Sequence, residues 1–319
     1  MAIQDKLTQT NTNQAVVVQN LKLAFSLWKN YDQFGCYNDD ALWWATASFY
    51  AYQAYQDSEL LNNSIAVWNS VTPYVVTQAQ ASAGATPVKN FALAGTCDNV
   101  TMAGGVFWRP TVDDTSINSI TTGLYLTLSS YLAETTKDSK YTNAATLSAT
   151  WIKAHNINSN NIVLDTESGA DCSRSPSTWL FTYNSGKFIE GLSVLTDLTN
   201  DSQWENLMLT VVAAAVKNTA WQGSNGIITE RSDNSSNNDG IGFKAVFIRG
   251  LLQAYMRTQN QNLSTLIRSY TDVQYNALLD LSSNGTFYSA SWPGPKPTVF
   301  TSWGQLAALD VLTAAVGVN

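Results

Sequence analysis

The sequence predicts an all-α protein, a single toroid of inner and outer helices over residues 1–319, and three observations support this class. Apolar residues recur at the three- and four-residue spacing of helices, whereas strand signals are sparse. Long polar loops alternate with short connections. Every second predicted helix opens with a polar-aromatic motif, near residues 39, 115, 183, 240 and 302. Short connections on one side and long loops on the other favour a closed ring of helices, in which the motifs at the helix starts all lie at one rim.

Each predicted helix is supported by apolar residues at helical spacing, and most of them follow a capping residue. Five pairs of helices are visible, and a sixth would have to come from a terminus or a long loop. In chain order, the predicted helices cover residues 14–31, a stretch from Asn38 or Asp39 to Ala54, residues 58–80, a stretch capped by Asp113–Ser116 that carries Ile117 to Tyr131, residues 140–155, Thr182 to Leu195, 201–219, Asp239 to Ala254, 263–281 and Thr301 to Leu312.

The densest aromatic stretch of the chain surrounds two adjacent aspartates, Asp39 and Asp40. Gly35 ends the preceding element, and Asn38 or Asp39 is a suitable N-cap, so the pair is expected in a first helical turn. There the helix dipole and free N–H groups favour carboxylates. Two carboxyls placed this way can both reach one cleft, near the ~5–5.5 Å separation that retaining glycosidases use.

Two interpretations of this stretch remain open. Asp and Asn are common at helix starts, so the pair could serve as a cap alone. Tyr37, Trp43 and Trp44 lie beside it, and sugar sites combine flat apolar faces with carboxylates. Asp113–Asp114 is a second acid pair that we interpret as a helix cap. The segment Gly104–Pro110 is either plain loop or a wall that faces a sugar.

Bulk properties exclude several classes of protein. Net charge is −7 and the pI is about 4.6, which disfavours nucleic acid and anionic membranes as partners. Only 13% of residues are charged, which suits a secreted protein that meets neutral polymers. No apolar run approaches the ~20 residues that span a bilayer. Residues 1–13 are polar and are interpreted as the start of a mature protein.

Three cysteines suggest one disulfide and one free thiol. Cys97 and Cys172 both lie in loops rich in Gly, Ser and Asp, where a bridge would join two long loops. Cys36, next to the acid pair, is expected to be free and buried.

Two other candidate functions do not fit the sequence around their motifs. Gly240–Ala245 matches a dinucleotide-binding pattern, but it follows a polar loop and no βαβ unit surrounds it. His155 is the one histidine, which disfavours zinc chemistry and histidine-dependent triads. We therefore expect neither a metal nor an organic cofactor.

Four motifs in order make the sequence similar to glycoside hydrolase family 76, the endo-α-1,6-mannanases, over nearly the whole chain. The motifs are Tyr37–Asp40 with Trp43–Trp44, Gly104–Trp108, Thr182–Gly186 and Gly242–Arg249. The resemblance implies an (α/α)6 barrel and hydrolysis of α-1,6-mannan with retention, and we expect a secreted monomer without a cofactor. It further implies that Asp39 is the nucleophile and Asp40 the general acid/base.

Residues at helix starts and aromatic residues are candidates for substrate binding. These candidates are Asn38, Trp43, Trp44, Trp108, Tyr183, Asn184, Asp239, Phe243, Lys244 and Trp303. Related proteins anchored in fungal walls suggest a transglycosylase acting on mannan-bearing anchors as one alternative. A non-catalytic mannan-binding scaffold, another toroidal glycosidase and a polysaccharide lyase are further alternatives. A lyase would need a cluster of arginines for uronates, which the acidic balance disfavours.

Overall fold

The computed structural model describes residues 1–27, 36–232 and 239–319. Within these residues the chain is mostly helical, as predicted, with 61% helix and twelve α-helices where ten were expected. The chain divides into two compact units. The first comprises Met1–Ile157 and Asp165–Ser177, and the second comprises Asn158–Leu164 and Thr178–Asn319. The prediction that 1–319 functions as one domain stays a prediction.

The first unit contains seven helices and four short strands among its described residues. The helices are α1 (Ala2–Thr8), α2 (Gln14–Leu27), α3 (Asn38–Tyr55), α4 (Ser58–Val71), α5 (Gln78–Ala83), α6 (Ser119–Thr136) and α7 (Ser139–His155). The strands are β1 (Thr96–Cys97), β2 (Val100–Thr101), β3 (Ser116–Asn118) and β4 (Thr166–Ser168). β1 pairs with β2 and β3 with β4, both antiparallel.

The second unit contains five helices and one hairpin among its described residues. The helices are α8 (Thr182–Thr199), α9 (Ser202–Ala215), α10 (Gly240–Arg257), α11 (Gln261–Leu281) and α12 (Ser302–Val318). β5 (Ser283–Asn284) pairs antiparallel with β6 (Phe287–Tyr288).

Aromatic side chains fill the core of the first unit around α6, which is buried from Ser119 to Ala133. The ring of Phe49 on α3 stacks on that of Tyr131 on α6, with centroids 5.1 Å apart. Trp68 on α4 stacks on Tyr125, and its indole N–H donates a 2.7 Å hydrogen bond to Ser129. The buried polar group is therefore paired, which removes the cost of desolvating it.

In the second unit, α8 and α10 approach each other closely. A Cβ at Gly186 would collide with the backbone of Phe247, and one at Gly250 would collide with the backbone of Gly186. Glycine at both positions therefore permits the contact between the two helices. Arg249 on α10 forms a two-pronged ion pair with Asp310 on α12, at 3.1 and 2.6 Å.

Several predicted boundaries were wrong. Proline cannot continue a helix, and the predicted helix 58–80 breaks into α4, a single 3-10 turn at Thr72–Tyr74 containing Pro73, and α5. Residues 28–31 of the first predicted helix, with Trp28, lie outside the described residues, as do residues 233–238 of a predicted loop. α1 has no counterpart among the predicted helices.

The predicted cap at Asp113–Ser116 was also wrong. Ser116 instead starts strand β3, which pairs with β4. The helix α6 begins three residues later, where the side chain of Asn118 accepts a 3.1 Å hydrogen bond from Thr121 N–H. Pairing with a distant strand decided this start, and a local motif could not indicate it.

The predicted disulfide between Cys97 and Cys172 is present and joins the two loops. Beneath it lies a buried ionic cluster around Glu167, on β4. One Glu167 oxygen lies 3.0 Å from Nδ1 of His155, and the other lies 3.0 Å from Arg174. The covalent and ionic links together hold the β1–β2 and β4 segments against the end of α7.

Cys36 is free, as predicted, but it is exposed, and the prediction that it is buried was wrong. It lies in the turn before α3, so it is not part of the helix face that packs into the core. Proximity to the acid pair in sequence did not confer burial.

Candidate active site

The acid pair lies in the first turn of α3, as predicted. The prediction that Asn38 or Asp39 caps this helix was wrong, because the N-cap is Tyr37, which makes no side-chain capping bond. The buried Asn38 instead donates its backbone N–H to the carbonyl of Trp108 and its side-chain amide to the carbonyl of Phe107, each at 2.8 Å. Asn38 therefore fastens the start of α3 to residues 107–108.

Both carboxylate oxygens of the half-buried Asp39 accept hydrogen bonds. Oδ1 accepts the backbone N–H of Asp40 at 3.0 Å, and Oδ2 accepts the indole N–H of Trp108 at 3.1 Å. Burial raises the pKa of Asp39 to about 7, and the neighbouring charge of Asp40 raises it further, while the two N–H donors oppose that rise. The side chain of Asp40 is exposed.

Two neighbouring carboxyls titrate as a coupled pair. The pKa value near 7 is that of Asp39 beside a charged Asp40, since the Asp40 charge is one of its causes. At weakly acidic pH the pair therefore holds one proton and one negative charge. This is the protonation state that a two-carboxylate glycosidase needs.

An aromatic wall flanks the acid pair. The rings of Tyr37 and Trp108 lie 4.9 Å apart, tilted by 46°. The Arg109 guanidinium lies over both rings, 4.4 Å from each centroid. Of the two interpretations left open for residues 104–110, this geometry favours a wall beside the acids. Trp43 is half-buried and Trp44 is 37% exposed, so neither encloses the site fully.

Four candidate residues of the second unit lie at the starts of α8 and α10. The rings of Tyr183 and Phe243 stack with centroids 3.8 Å apart, and Phe181 packs edge-on against both. Asn184 is buried. Trp179, which the sequence reasoning did not single out, contacts Phe181 and is 48% exposed. The cluster therefore offers an exposed aromatic face.

Lys244 occupies a different environment from the one predicted for a sugar-binding residue. It is fully buried, and its ammonium donates to the main-chain carbonyls of Glu230 at 2.9 Å and Ile241 at 3.2 Å. Burial lowers its pKa to about 8. These contacts hold the loop before α10 and favour a structural role for Lys244.

Glu230 is a buried acid that the sequence reasoning missed. Its carboxylate accepts hydrogen bonds from the backbone N–H and the hydroxyl of Thr182, the first residue of α8. Burial raises its pKa. Glu230 is the one acidic residue of loop 223–232, and this was the only sequence signal that could have indicated its role. Its geometry is that of a helix cap supplied from a distant loop.

The two remaining candidates lie at helix starts in the second unit. Asp239 is exposed and precedes α10 without making a capping bond. Trp303 is half-buried and packs on the cluster of Ile241, Ala290 and Ala307. Trp303 therefore contributes to packing within its own unit.

One group among the described residues has the residue types of a metal site, namely Cys97, Glu167 and Cys172. The two sulfurs form the disulfide, so they are not thiolates and do not suit a metal ion. In the described part of the chain, no helix is both long and apolar enough to cross a bilayer.

The fold and the acid pair together define a helical glycoside hydrolase. The model of the glycosyl hydrolase family 76 matches residues 2–317, and the chain belongs to this family. A search of curated protein sequences returned no match.

Solved structures with a similar fold include bacterial and fungal proteins. One is an inactive variant of the α-1,6-mannanase GH76A of Salegentibacter sp. HEL1_6, in which two consecutive aspartates are replaced by asparagine and α-1,6-mannotriose is bound. It is 15% identical to this chain, with a TM-score of 0.74, and the match covers 89% of this chain and 77% of that one. The Lin0763 protein of Listeria innocua is 19% identical, with a TM-score of 0.70 over 93% and 78% of the two chains. Dfg5 of Chaetomium thermophilum, in complex with glucosamine, is 16% identical, with a TM-score of 0.71 over 99% and 76%.

At these identities the likeness shows the fold alone. It confirms the predicted class, since family 76 structures have the (α/α)6 barrel fold. The closure of the ring and the common rim for the motifs stay predictions.

Proposed function

We propose that this chain is a secreted endo-α-1,6-mannanase that cleaves its substrate with retention. The observation that carries the proposal is the acid pair in the first turn of α3, with Asp39 held by two N–H donors and Asp40 exposed beside it. Family membership supports a glycoside hydrolase. The relative from Salegentibacter, inactive after the loss of two consecutive aspartates and crystallised with α-1,6-mannotriose, supports both the substrate and the pair.

In this proposal Asp39 attacks the anomeric carbon while Asp40 protonates the departing glycosidic oxygen. Water activated by Asp40 then attacks the glycosyl-enzyme and releases the sugar from Asp39. The two N–H donors favour the ionised form of Asp39 that a nucleophile needs, and they oppose the burial and the Asp40 charge that raise its pKa. The exposed position of Asp40 suits a group that must exchange protons with a leaving group and with water.

Secretion is supported by the disulfide, because such bonds persist in oxidising compartments. The exposed aromatic face at Trp179 and the wall at Tyr37 and Trp108 supply the flat apolar surfaces on which sugar rings stack. These two surfaces belong to different units and are proposed independently as substrate-binding surfaces.

Product analysis on linear α-1,6-mannan tests the proposal. Native protein should release short α-linked mannooligosaccharides whose new reducing ends are initially α by proton NMR. Asp39→Asn and Asp40→Asn should each lose nearly all activity. An inert native protein, or variants as active as the native one, would overturn the proposal and favour the mannan-binding scaffold.

A transglycosylase is the second candidate, favoured by the likeness to Dfg5 over 99% of this chain. Its signature in the same experiment is extension of labelled acceptor oligosaccharides beyond their starting length. Hydrolysis without any extension at millimolar acceptor would reject it.

A further inference from the structure

Arg109 lies at the centre of the aromatic wall. Its guanidinium carbon is 4.4 Å from the ring centroids of both Tyr37 and Trp108, and its Nη2 donates a 2.6 Å hydrogen bond to the Tyr37 hydroxyl. A planar guanidinium can stack on an aromatic face and donate in its own plane at the same time, which an ammonium cannot do. Arg109 therefore fixes two rings relative to each other.

Arg109 is itself held in place from two sides. Its Nε lies 3.8 Å from a carboxylate oxygen of Asp114, whose other oxygen accepts the backbone N–H of Ser116. Lys89 donates to the main-chain carbonyls of Arg109 at 2.8 Å and Thr111 at 2.7 Å. The ion pair with Asp114 and the hydrogen bond to Tyr37 thus restrain the guanidinium, while Lys89 braces the main chain that carries it.

The Trp108 ring that Arg109 covers is the one whose N–H reaches Asp39. The backbone of Trp108 is fixed by hydrogen bonds to Asn38 and Ser116, so the indole can change its direction only by rotating its side chain. A cation stacked on the ring opposes that rotation. We propose that Arg109 is a positioning residue, whose guanidinium holds the Trp108 indole in the orientation that donates to Asp39.

The catalytic consequence rests on the proposed function, but the positioning itself does not. A direct test is the indole N–H resonance of Trp108 in ¹⁵N-labelled protein, assigned by its absence in Trp108→Phe. In the native protein this resonance should shift with a midpoint near pH 7, as Asp39 titrates. Around Asp39, burial and the charge of Asp40 raise its pKa, and the N–H donors of Asp40 and Trp108 lower it.

Arg109→Lys separates positioning from charge, because it keeps the cation and removes the planar stack. In this variant and in Arg109→Ala, the Trp108 resonance should move towards the position of solvent-exposed indoles. Its pH-dependent shift should fall at least twofold, while the other indole resonances keep their places. An unchanged position and titration in both variants would overturn the proposal.

Kinetics on α-1,6-mannan then test the consequence. Arg109→Ala should lower kcat by about 10–100-fold, the effect of losing one charge-assisted hydrogen bond, with KM changed less than about threefold. Because Arg109 acts through Trp108, the double variant with Trp108→Phe should be no worse than Trp108→Phe alone. Arg257→Ala, which breaks a surface ion pair with Asp197, is the control and should retain native activity.

Additive losses, or a raised KM with an unchanged kcat, would show that Arg109 contacts the substrate directly and would overturn positioning. If the native protein is inert on mannan while the resonance behaves as expected, the proposed function fails and the positioning stands. The two failures are therefore distinguishable.

Discussion

The indole Nε1–H of Trp108 donates a 3.1 Å hydrogen bond to Oδ2 of Asp39, across 69 residues of sequence. This bond joins the loop after β2 to the first turn of α3. It stabilises the ionised form of Asp39, because an N–H donor interacts more strongly with a carboxylate than with a neutral acid. The protonation of the acid pair therefore depends on where Trp108 points.

Replacing Trp108 by phenylalanine should affect both the rate and its pH dependence. Loss of the donor should lower kcat by about 10–100-fold, since a hydrogen bond to a charged group contributes about 1.5–3 kcal/mol. It should also raise the pKa of Asp39, so the alkaline limb of kcat/KM, expected near pH 7 in the native protein, should move to higher pH. The measurement is a pH profile of initial rates on linear mannan.

The control for this prediction is Trp204→Phe, which alters a buried tryptophan of α9. It should leave the pH profile unchanged. A Trp108→Phe profile that coincides with the native one would contradict the role assigned to the hydrogen bond.

Asp39→Asn should stabilise the folded protein at pH 8 and have little effect near pH 4. The pKa of Asp39 rises from its ordinary 3.8 to about 7 in the folded state. The protonated acid's contribution to stability is complete below about pH 4 and is lost as pH rises through 7. Asparagine does not titrate, so the variant should gain about 1–4 kcal/mol at pH 8, at about 1.4 kcal/mol per pKa unit.

Urea denaturation of the native protein and the variant at both pH values measures this difference. Asp280→Asn, an exposed aspartate on α11, is the matched control and should show no comparable pH-dependent gain. Equal free energies of unfolding for the native protein and Asp39→Asn at pH 8 would mean that ionised Asp39 does not destabilise the folded state, which would contradict the raised pKa.

Glu167→Gln should destabilise the protein by about 1–3 kcal/mol, because it removes the buried acceptor charge that faces His155 and the partly exposed Arg174. His155 and Arg174 would both lose the carboxylate that lies 3.0 Å from each of them. Denaturation by urea at pH 7 gives the free energy of unfolding. Arg257→Ala, which removes a partly exposed ion pair, should cost less than about 1 kcal/mol, and a similar loss in both variants would contradict the prediction.

Thiol titration should find one reactive cysteine in the native protein, the exposed Cys36, and three after reduction. Reduction of the disulfide should lower the free energy of unfolding by about 2–4 kcal/mol, because the bond closes a long loop in the unfolded chain. Cys36→Ser should abolish the native thiol signal and change stability by less than about 0.5 kcal/mol. A native protein with no reactive thiol would contradict the exposure of Cys36.

Much of the helical organisation could be predicted because helices depend on local spacing. The inward residues Tyr141, Ala145 and Ile152 of α7 are all buried, as their spacing indicated. α12 shows the limit of such patterns, since Leu306 and Leu309 are exposed while the alanines Ala307 and Ala308 are buried. Hydrophobicity alone does not indicate which face a neighbouring helix covers.

The sequence by itself determined the helical class, the position of the acid pair in a first turn, and the cysteines that pair. Each of these depends on nearby residues or on a scarce residue type. Only the tertiary structure decided that Trp108 donates to Asp39, that Asn38 fastens a distant loop, and that Lys244 is buried. Those outcomes depend on which polar groups are brought into contact by segments distant in sequence. Burial strengthens such contacts and makes unpaired polar groups costly, and a local sequence pattern does not show which groups are buried together.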